Sequence, residues 1–291
     1  MYAMAMFPST QVHRRPASAP VDLFLAQRQT PVDCHFHIFV ARKGVSGSRY
    51  IPSYSSLLAN WQQVAQTSGV RRGVLVQPSF LGTDNQLLLQ TLANPEAALR
   101  GVVVLAPDVQ PSMLVVLHQR GVRGMRLNLS GSGHDLSPWV AATGLWDAMV
   151  ALGWHLELHT NTGDLAAVLS TLAPALPPGL TLVLDHFAKP ERASSRDVTV
   201  QSVARLAQAG RPVYVKLSAA YRLHGINPCK LARYWLAILG AQHLLWGSDW
   251  PCTNHEPEAD FARLRAGLDE WLNDKAAAWA ALVDNPHRLL A

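Results

Sequence analysis

Cysteine is scarce in this 291-residue chain, and Cys34, Cys229 and Cys252 lie far apart and are odd in number. No disulfide framework is implied, and a reducing compartment suits them. Long apolar runs are missing too: 49% of the residues are apolar, yet no run approaches the ~18 residues of a membrane span. Charge is thin, with 25 Lys and Arg against 20 Asp and Glu for a net +5. The basic residues are scattered and are not interleaved with aromatics, which argues against nucleic-acid binding. A cationic pocket for an acidic small molecule accounts for the same charge. No Gly-x-Gly-x-x-Gly follows an early strand and there is no Walker loop, which counts against a doubly wound nucleotide fold.

The first 29 residues, with Pro8, Pro16, Pro20 and the cluster His13, Arg14, Arg15, show neither helical nor strand periodicity and read as a tail or surface strap. They lack the amphipathic period and serine content of an organellar address and the apolar core of a secretion signal. The expectation is a cytoplasmic protein whose domain runs from residue 30 to residue 291.

What is present begins at Pro31-Val-Asp-Cys-His-Phe-His-Ile-Phe39. On a strand, His35 and His37 project from one face. Imidazole is both a common metal ligand and the usual acid or base near neutrality. After this segment, short apolar runs alternate with amphipathic stretches. Strands are expected at 32–37, 72–77, 100–105, 122–127, 154–159, 180–185, 213–217 and 243–247. Helices are expected at 55–68, 84–93, 111–119, 139–152, 165–172, 198–209, 228–239 and 257–272, with a closing helix and tail over 275–290. Asp84 and Asp164 stand at N-cap positions. Eight strands, each followed by a helix, in about 250 residues is the arithmetic of a single-domain α/β fold, the (β/α)₈ TIM barrel.

In such a barrel, reactive groups collect at the carboxyl ends of the strands. There stand His35 and His37, Gln77 and Ser79, Arg126 and Asn128, His159, Asp185 and His186, Lys216 and Ser218, and Asp249. Four histidines and an aspartate on one rim form a site. Some neighbours have plainer readings: Asp185 as a strand-end cap or backbone partner, Lys216 as a buried partner of a carboxylate, Ser218 as a turn residue. Trp154, Trp246 and Trp250 read as core or pocket wall. His134 is compatible with either solvent or the site.

These residues carry a resemblance. Val32-Asp33-Cys34-His35-Phe36-His37-Ile38-Phe39, Gly73 to Ser79 with Asp84-Asn85, Gly121 to Asn128, Leu184 to Pro190, Leu245 to Pro251 and Asp284 to Leu289 together resemble the amidohydrolase-related branch of the amidohydrolase superfamily. Within it they are most similar to the 2-pyrone-4,6-dicarboxylate lactonase group. The resemblance spans about residues 31 to 290. It implies a barrel in which Asp249 is the general base, His35, His37 and His186 polarise a carbonyl, and Arg126, Arg222 and Tyr50 grip the substrate, with Gln77 and Lys189 beside them. Lys189 stands where the lactonase group tends to have arginine, which leaves the dicarboxylate open. His159 stands where that group has a tyrosine.

His35, His37, His159 and Asp249 match the set with which metal-dependent relatives hold one divalent ion. Three imidazoles and a carboxylate suit Zn²⁺. One ion and none are equally compatible with the residues, and there is no carboxylated-lysine signature at strand four to suggest two. The leading expectation is a hydrolase opening a small acidic or sugar-derived lactone. A metal-dependent decarboxylase and a non-catalytic anion-binding barrel are the alternatives. A homo-oligomer is compatible with all three.

Overall fold

The computed structural model describes residues 22–131 and 133–291; most of the expected N-terminal tail lies outside them. The eight strands are β1 (Val32–Phe36), β2 (Arg72–Val76), β3 (Ala98–Val103), β4 (Val122–Leu129), β5 (His155–Thr160), β6 (Thr181–Leu184), β7 (Val213–Leu217) and β8 (Leu244–Trp246). They pair in parallel and in sequence order from β1 to β8, because each crossover runs through a helix on the outside. Strands β1, β2, β3, β7 and β8 are buried along their whole length, as strands covered on both faces are, and polar residues such as Asp33, His35 and Lys216 are buried with them.

Closure falls on the strand ends. Asp249 N–H donates to the His35 carbonyl at 2.8 Å, and His37 N–H donates to the Trp250 carbonyl at 2.9 Å. Gly247 allows that approach, since a Cβ there would lie 2.5 Å from His35 Cβ. A side-chain clasp reinforces it: the fully buried Asp33 carboxylate accepts from Ser248 N–H at 2.8 Å, Ser248 Oγ at 2.6 Å, Trp61 Nε1 at 2.9 Å and His35 N–H at 3.1 Å. The first and last strands are thus locked together within two residues of His35 and Asp249.

The helices follow the expected order. The stretch expected to be one helix over 139–152 is two, α5 (Ser137–Ala141) and α6 (Thr143–Ala151), with Trp146 Nε1 bonding across the break to the Trp139 carbonyl at 2.9 Å. Asp164 holds the N-cap position of its helix (Leu165–Leu172) as expected, although its carboxylate accepts from Asn161 Nδ2; Asp84 stands one residue before the N-cap Asn85 of α3 (Gln86–Leu92), and its carboxylate accepts from Gln86 N–H at 3.2 Å. The closing segment runs through α11 (Lys275–Trp279), a π-helical turn at Ala280–Asp284 and α12 (Asn285–Leu290). Residues 22–30 cover the amino-terminal mouth of the barrel with α1 (Leu23–Ala26), capped by Asp22. Phe24 lies 5.1 Å from the Arg72 guanidinium and 4.6 Å from that of Arg100. Trp154 and Trp246 are core residues and Trp250 is buried. Among the described residues no helix is long and apolar enough to cross a membrane.

Candidate active site

The carboxyl ends of the strands open into a cavity of about 520 Å³, within the range typical of small-molecule sites. His37, Arg126, His159, His186, Arg222 and Asp249 line it, with Tyr50, Arg49 and His134 among the residues nearer its mouth. At its centre the two oxygens of Asp249 face different company. Oδ2 accepts from the Tyr221 hydroxyl at 2.5 Å and from Arg222 Nε at 3.3 Å. Oδ1 lies 3.4 Å from His35 Nε2, 3.4 Å from His37 Nε2 and 4.0 Å from His186 Nε2. Burial alone would raise the Asp249 carboxyl, but the Arg222 guanidinium beside it outweighs burial and holds the group well below the usual carboxylate range. Asp249 is therefore an ionised carboxylate with one oxygen anchored and the other turned to the imidazoles.

Three of the rings, His35, His159 and His186, are held neutral. Burial, and then the Lys216 ammonium, push His35 down to about 4. Burial also holds His159 and His186 well below the ordinary range. His37 Nδ1 stands 2.7 Å from the Val76 carbonyl and His186 Nδ1 stands 2.9 Å from Ser218 Oγ, contacts that fix the orientation of both rings.

The chain bends hard to present His186. His186, Phe187, Ala188 and Lys189 all have positive φ, between 44° and 60°, a left-handed turn with no glycine in it. Each such residue costs roughly 1–2 kcal/mol. The turn is held from outside: Trp235 Nε1 donates to the Phe187 carbonyl at 3.0 Å, Gly163 N–H donates to the Lys189 carbonyl at 2.9 Å, and Lys189 Nζ donates to the Thr160 carbonyl at 2.9 Å. Backbone strain of this kind collects at functional sites, and Asp249 itself sits at φ 58°.

Several expected roles change. Lys189 fastens the turn and does not line the cavity. Gln77 is also absent from the cavity wall; its amide holds the loop after β2 by donating to the carbonyls of Asp84 at 2.7 Å and Gly82 at 3.3 Å. Tyr50 reaches the cavity, but its hydroxyl donates to Glu256 at 2.5 Å. His35 lies fully buried and off the cavity wall. Ser218 meets His186, and so is more than a turn residue.

Asp185, set aside in the sequence as a cap, is the largest omission. It accepts from Arg126 Nε at 2.8 Å, lies 3.1 Å from Lys216 Nζ, and lies 3.4 Å from His35 Nδ1. Lys216 is indeed a buried partner of carboxylates, since it also meets Glu157 at 2.6 Å. The period-two run His155-x-Glu157-x-His159 on β5 was the available signal: three polar residues on one strand face imply a polar layer inside the barrel. Tyr221, the anchor of Asp249, gave no such signal.

A divalent ion can be tested against this geometry. His35 Nε2, His37 Nε2 and Asp249 Oδ1 are separated by 3.3, 3.4 and 3.4 Å, close to the roughly 3.4 Å edge of a tetrahedron with bonds of about 2.1 Å. The described residues thus contain a His/Asp cluster of metal-holding spacing, and His35, Asp185 and His186 form a second. His159 joins neither, so the expected four-ligand set does not form. The spacing of the first cluster fits one ion.

A parallel eight-stranded barrel with an ionised carboxylate among imidazoles at its carboxyl-end rim defines the class: a barrel equipped for acid–base chemistry. The chain belongs to the amidohydrolase family, whose model matches residues 32–291. It is 28% identical over 281 residues to the 4-sulfomuconolactone hydrolase of Hydrogenophaga intermedia, covering 88% of this chain and 87% of that one. It is 27% identical over 281 residues to the 2-pyrone-4,6-dicarboxylate hydrolase of Comamonas testosteroni, covering 89% of each. A solved structure described as a putative 2-pyrone-4,6-dicarboxylic acid hydrolase of Pseudomonas putida superposes with a TM-score of 0.78 at 34% identity, over 90% of this chain and 97% of that one.

Proposed function

We propose that this protein is a hydrolase that opens a small anionic lactone with water activated by Asp249. The observation that carries this reading is the division of Asp249: Oδ2 is anchored by Tyr221 and Arg222, while Oδ1 is turned toward the imidazoles of a cavity. An ionised carboxylate so placed can take a proton from water as the water oxygen bonds to the lactone carbonyl carbon. The negative charge that develops on the carbonyl oxygen meets the preorganised arginines of the wall, with His159 and His186 beside them. When the ring C–O bond breaks, the proton held on Asp249 passes to the departing ring oxygen, and the product is the open-chain acid.

Arg126 and Arg222 supply the grip. Arg126 contacts Asp185 through Nε, and Arg222 contacts Asp249 through Nε and the Thr253 carbonyl through an η nitrogen. Each then has guanidinium nitrogens left for a carboxylate or a similar anion. Arg49 and His134 nearer the mouth extend the positive wall. The relatives named above are hydrolases of acidic lactones, which agrees with that charge.

The test is a panel of pyrone dicarboxylates, muconolactones and aldonolactones, assayed with the wild type and with Asp249→Asn. Ring opening by the wild type, reduced about 10³-fold in the variant, is the expected result. CO₂ release from aromatic acids without ring opening would favour the decarboxylase, and anion binding unaltered by Asp249→Asn, with no turnover of any kind, would favour the non-catalytic barrel.

A further inference from the structure

The hydrogen bonds around the two histidines of β1 specify where their protons are. His37 Nδ1 faces the Val76 carbonyl at 2.7 Å; a carbonyl only accepts, so Nδ1 carries the hydrogen, which in the neutral ring leaves the lone pair on Nε2. His35 is fixed from the other side. Lys216, fully buried, stands 2.6 Å from Glu157 Oε1, 3.1 Å from Asp185 Oδ1 and 3.0 Å from His35 Nδ1. Between two carboxylates it is an ammonium, which only donates: it hydrogen-bonds Glu157 and meets His35 Nδ1, while Asp185 is an ion-pair neighbour whose Oδ1 has no hydrogen-bond partner. His35 Nδ1 must then present a lone pair, which puts the ring proton on Nε2. That nitrogen faces His37 Nε2 at 3.3 Å and Asp249 Oδ1 at 3.4 Å, both acceptors. The chain from Glu157 through Lys216, His35 and His37 to Val76 thus has one donor and one acceptor at every contact.

A divalent ion at this cluster needs lone pairs on both Nε2 atoms. His35 would have to move its proton to Nδ1, where it would point at the Lys216 ammonium 3.0 Å away. The carboxylate oxygen of Asp185, 3.4 Å off, would be a long acceptor for it.

We infer that Lys216 is a positioning residue that holds His35 as the Nε2–H tautomer, making it a donor toward Asp249 and His37 and keeping divalent cations out of a cluster whose spacing would otherwise accept one. Lys216 sits a layer below the cavity and acts through His35. The inference goes beyond the hydrolase reading and is read out without it, since the observables are a proton position and a metal affinity.

Two measurements test it on the full chain. Long-range ¹H–¹⁵N correlation of imidazole-labelled wild type should show His35 protonated at Nε2 and His37 at Nδ1; a His35 protonated at Nδ1 overturns the inference, and this needs no variant. Zn²⁺ uptake by equilibrium dialysis, corrected for uptake by the His37→Ala protein, should be well below one equivalent for the wild type. It should tighten about 10- to 100-fold in Lys216→Met and stay weak in Lys216→Arg, which keeps a donor. A wild type that holds one ion per chain through dialysis, or equal Zn²⁺ affinities in the wild type and Lys216→Met, overturns it.

Discussion

At the amino-terminal end of the barrel, Arg72 turns each of its nitrogens onto main-chain carbonyls, of Phe24, Arg28 and Thr30. Arg100 does likewise with Leu99, Leu290 and the Asp22 carboxylate. Phe24 packs against both guanidiniums, and no left-handed non-glycine residue lies among residues 22–30. The opposite end holds a buried and a half-buried arginine, but Arg126 and Arg222 leave nitrogens over for a ligand, beside a cavity and a run of left-handed backbone. Burial and charge are therefore poor guides to function by themselves. What separates a plug from a site is whether hydrogen-bonding capacity is exhausted or held in reserve.

The sharpest way to break this contrast is to cut one arginine at the plug. Arg72→Met would strand the buried Phe24 carbonyl and take the donor from the part-buried carbonyls of Arg28 and Thr30; with each unsatisfied buried group costing roughly 1–3 kcal/mol, chemical denaturation should show a loss of about 2–4 kcal/mol. Turnover per folded molecule should be unchanged. A fall in kcat comparable to that of Asp249→Asn would mean that the plug and the site are not separable.

The second contrast is in pH. His35, at about 4 in the folded protein against 6.5 when free, binds fewer protons folded than unfolded between those values. Stability contributed by the neutral buried ring is therefore present above pH 6.5 and lost as pH falls toward 4. His35 alone accounts for about 3 kcal/mol over that window, and His159 and His186 shift in the same direction. Asp185 and Asp249, both depressed, add a further loss only below their unfolded values near 3.8. Urea unfolding at pH 7, 5.5 and 4 should show the decline, and a stability flat across that range would place charged imidazoles at the rim.

The sequence made the rim legible because its signals are local. His-x-His on one strand, apolar runs separated by amphipathic stretches, and polar residues at strand ends all follow from backbone periodicity, and seven of those rim residues do line the cavity: His37, Ser79, Arg126, Asn128, His159, His186 and Asp249. What stayed hidden depends on three dimensions. Asp185 looks like any strand-end carboxylate until β4 and β7 bring Arg126 and Lys216 against it. The left-handed turn at His186–Lys189 contradicts local preference, since no residue in it is glycine, and only the contacts from Trp235, Gly163 and Thr160 impose it. Lys189 and Gln77 were misplaced for the same reason: polar residues next to a strand end can turn back to the backbone as readily as forward to a ligand.

The gentlest test falls on Arg126, where reserve capacity is the whole issue. Arg126→Lys keeps the charge and can keep the contact with Asp185, but an ammonium is a point charge and cannot hold Asp185 with one edge while offering a planar fork to a substrate anion. The charge balance of the buried layer is unaltered, so stability should change little, whereas kcat/KM should fall about 10- to 100-fold, or roughly 1.4–2.8 kcal/mol. The loss should lie mainly in KM, because the grip is made equally in the ground state and the transition state. A loss carried by kcat alone would mean that Arg126 meets the developing oxyanion instead, and kinetics as good as those of the wild type would mean that Asp185 takes up the guanidinium as fully as the main-chain carbonyls take up Arg72.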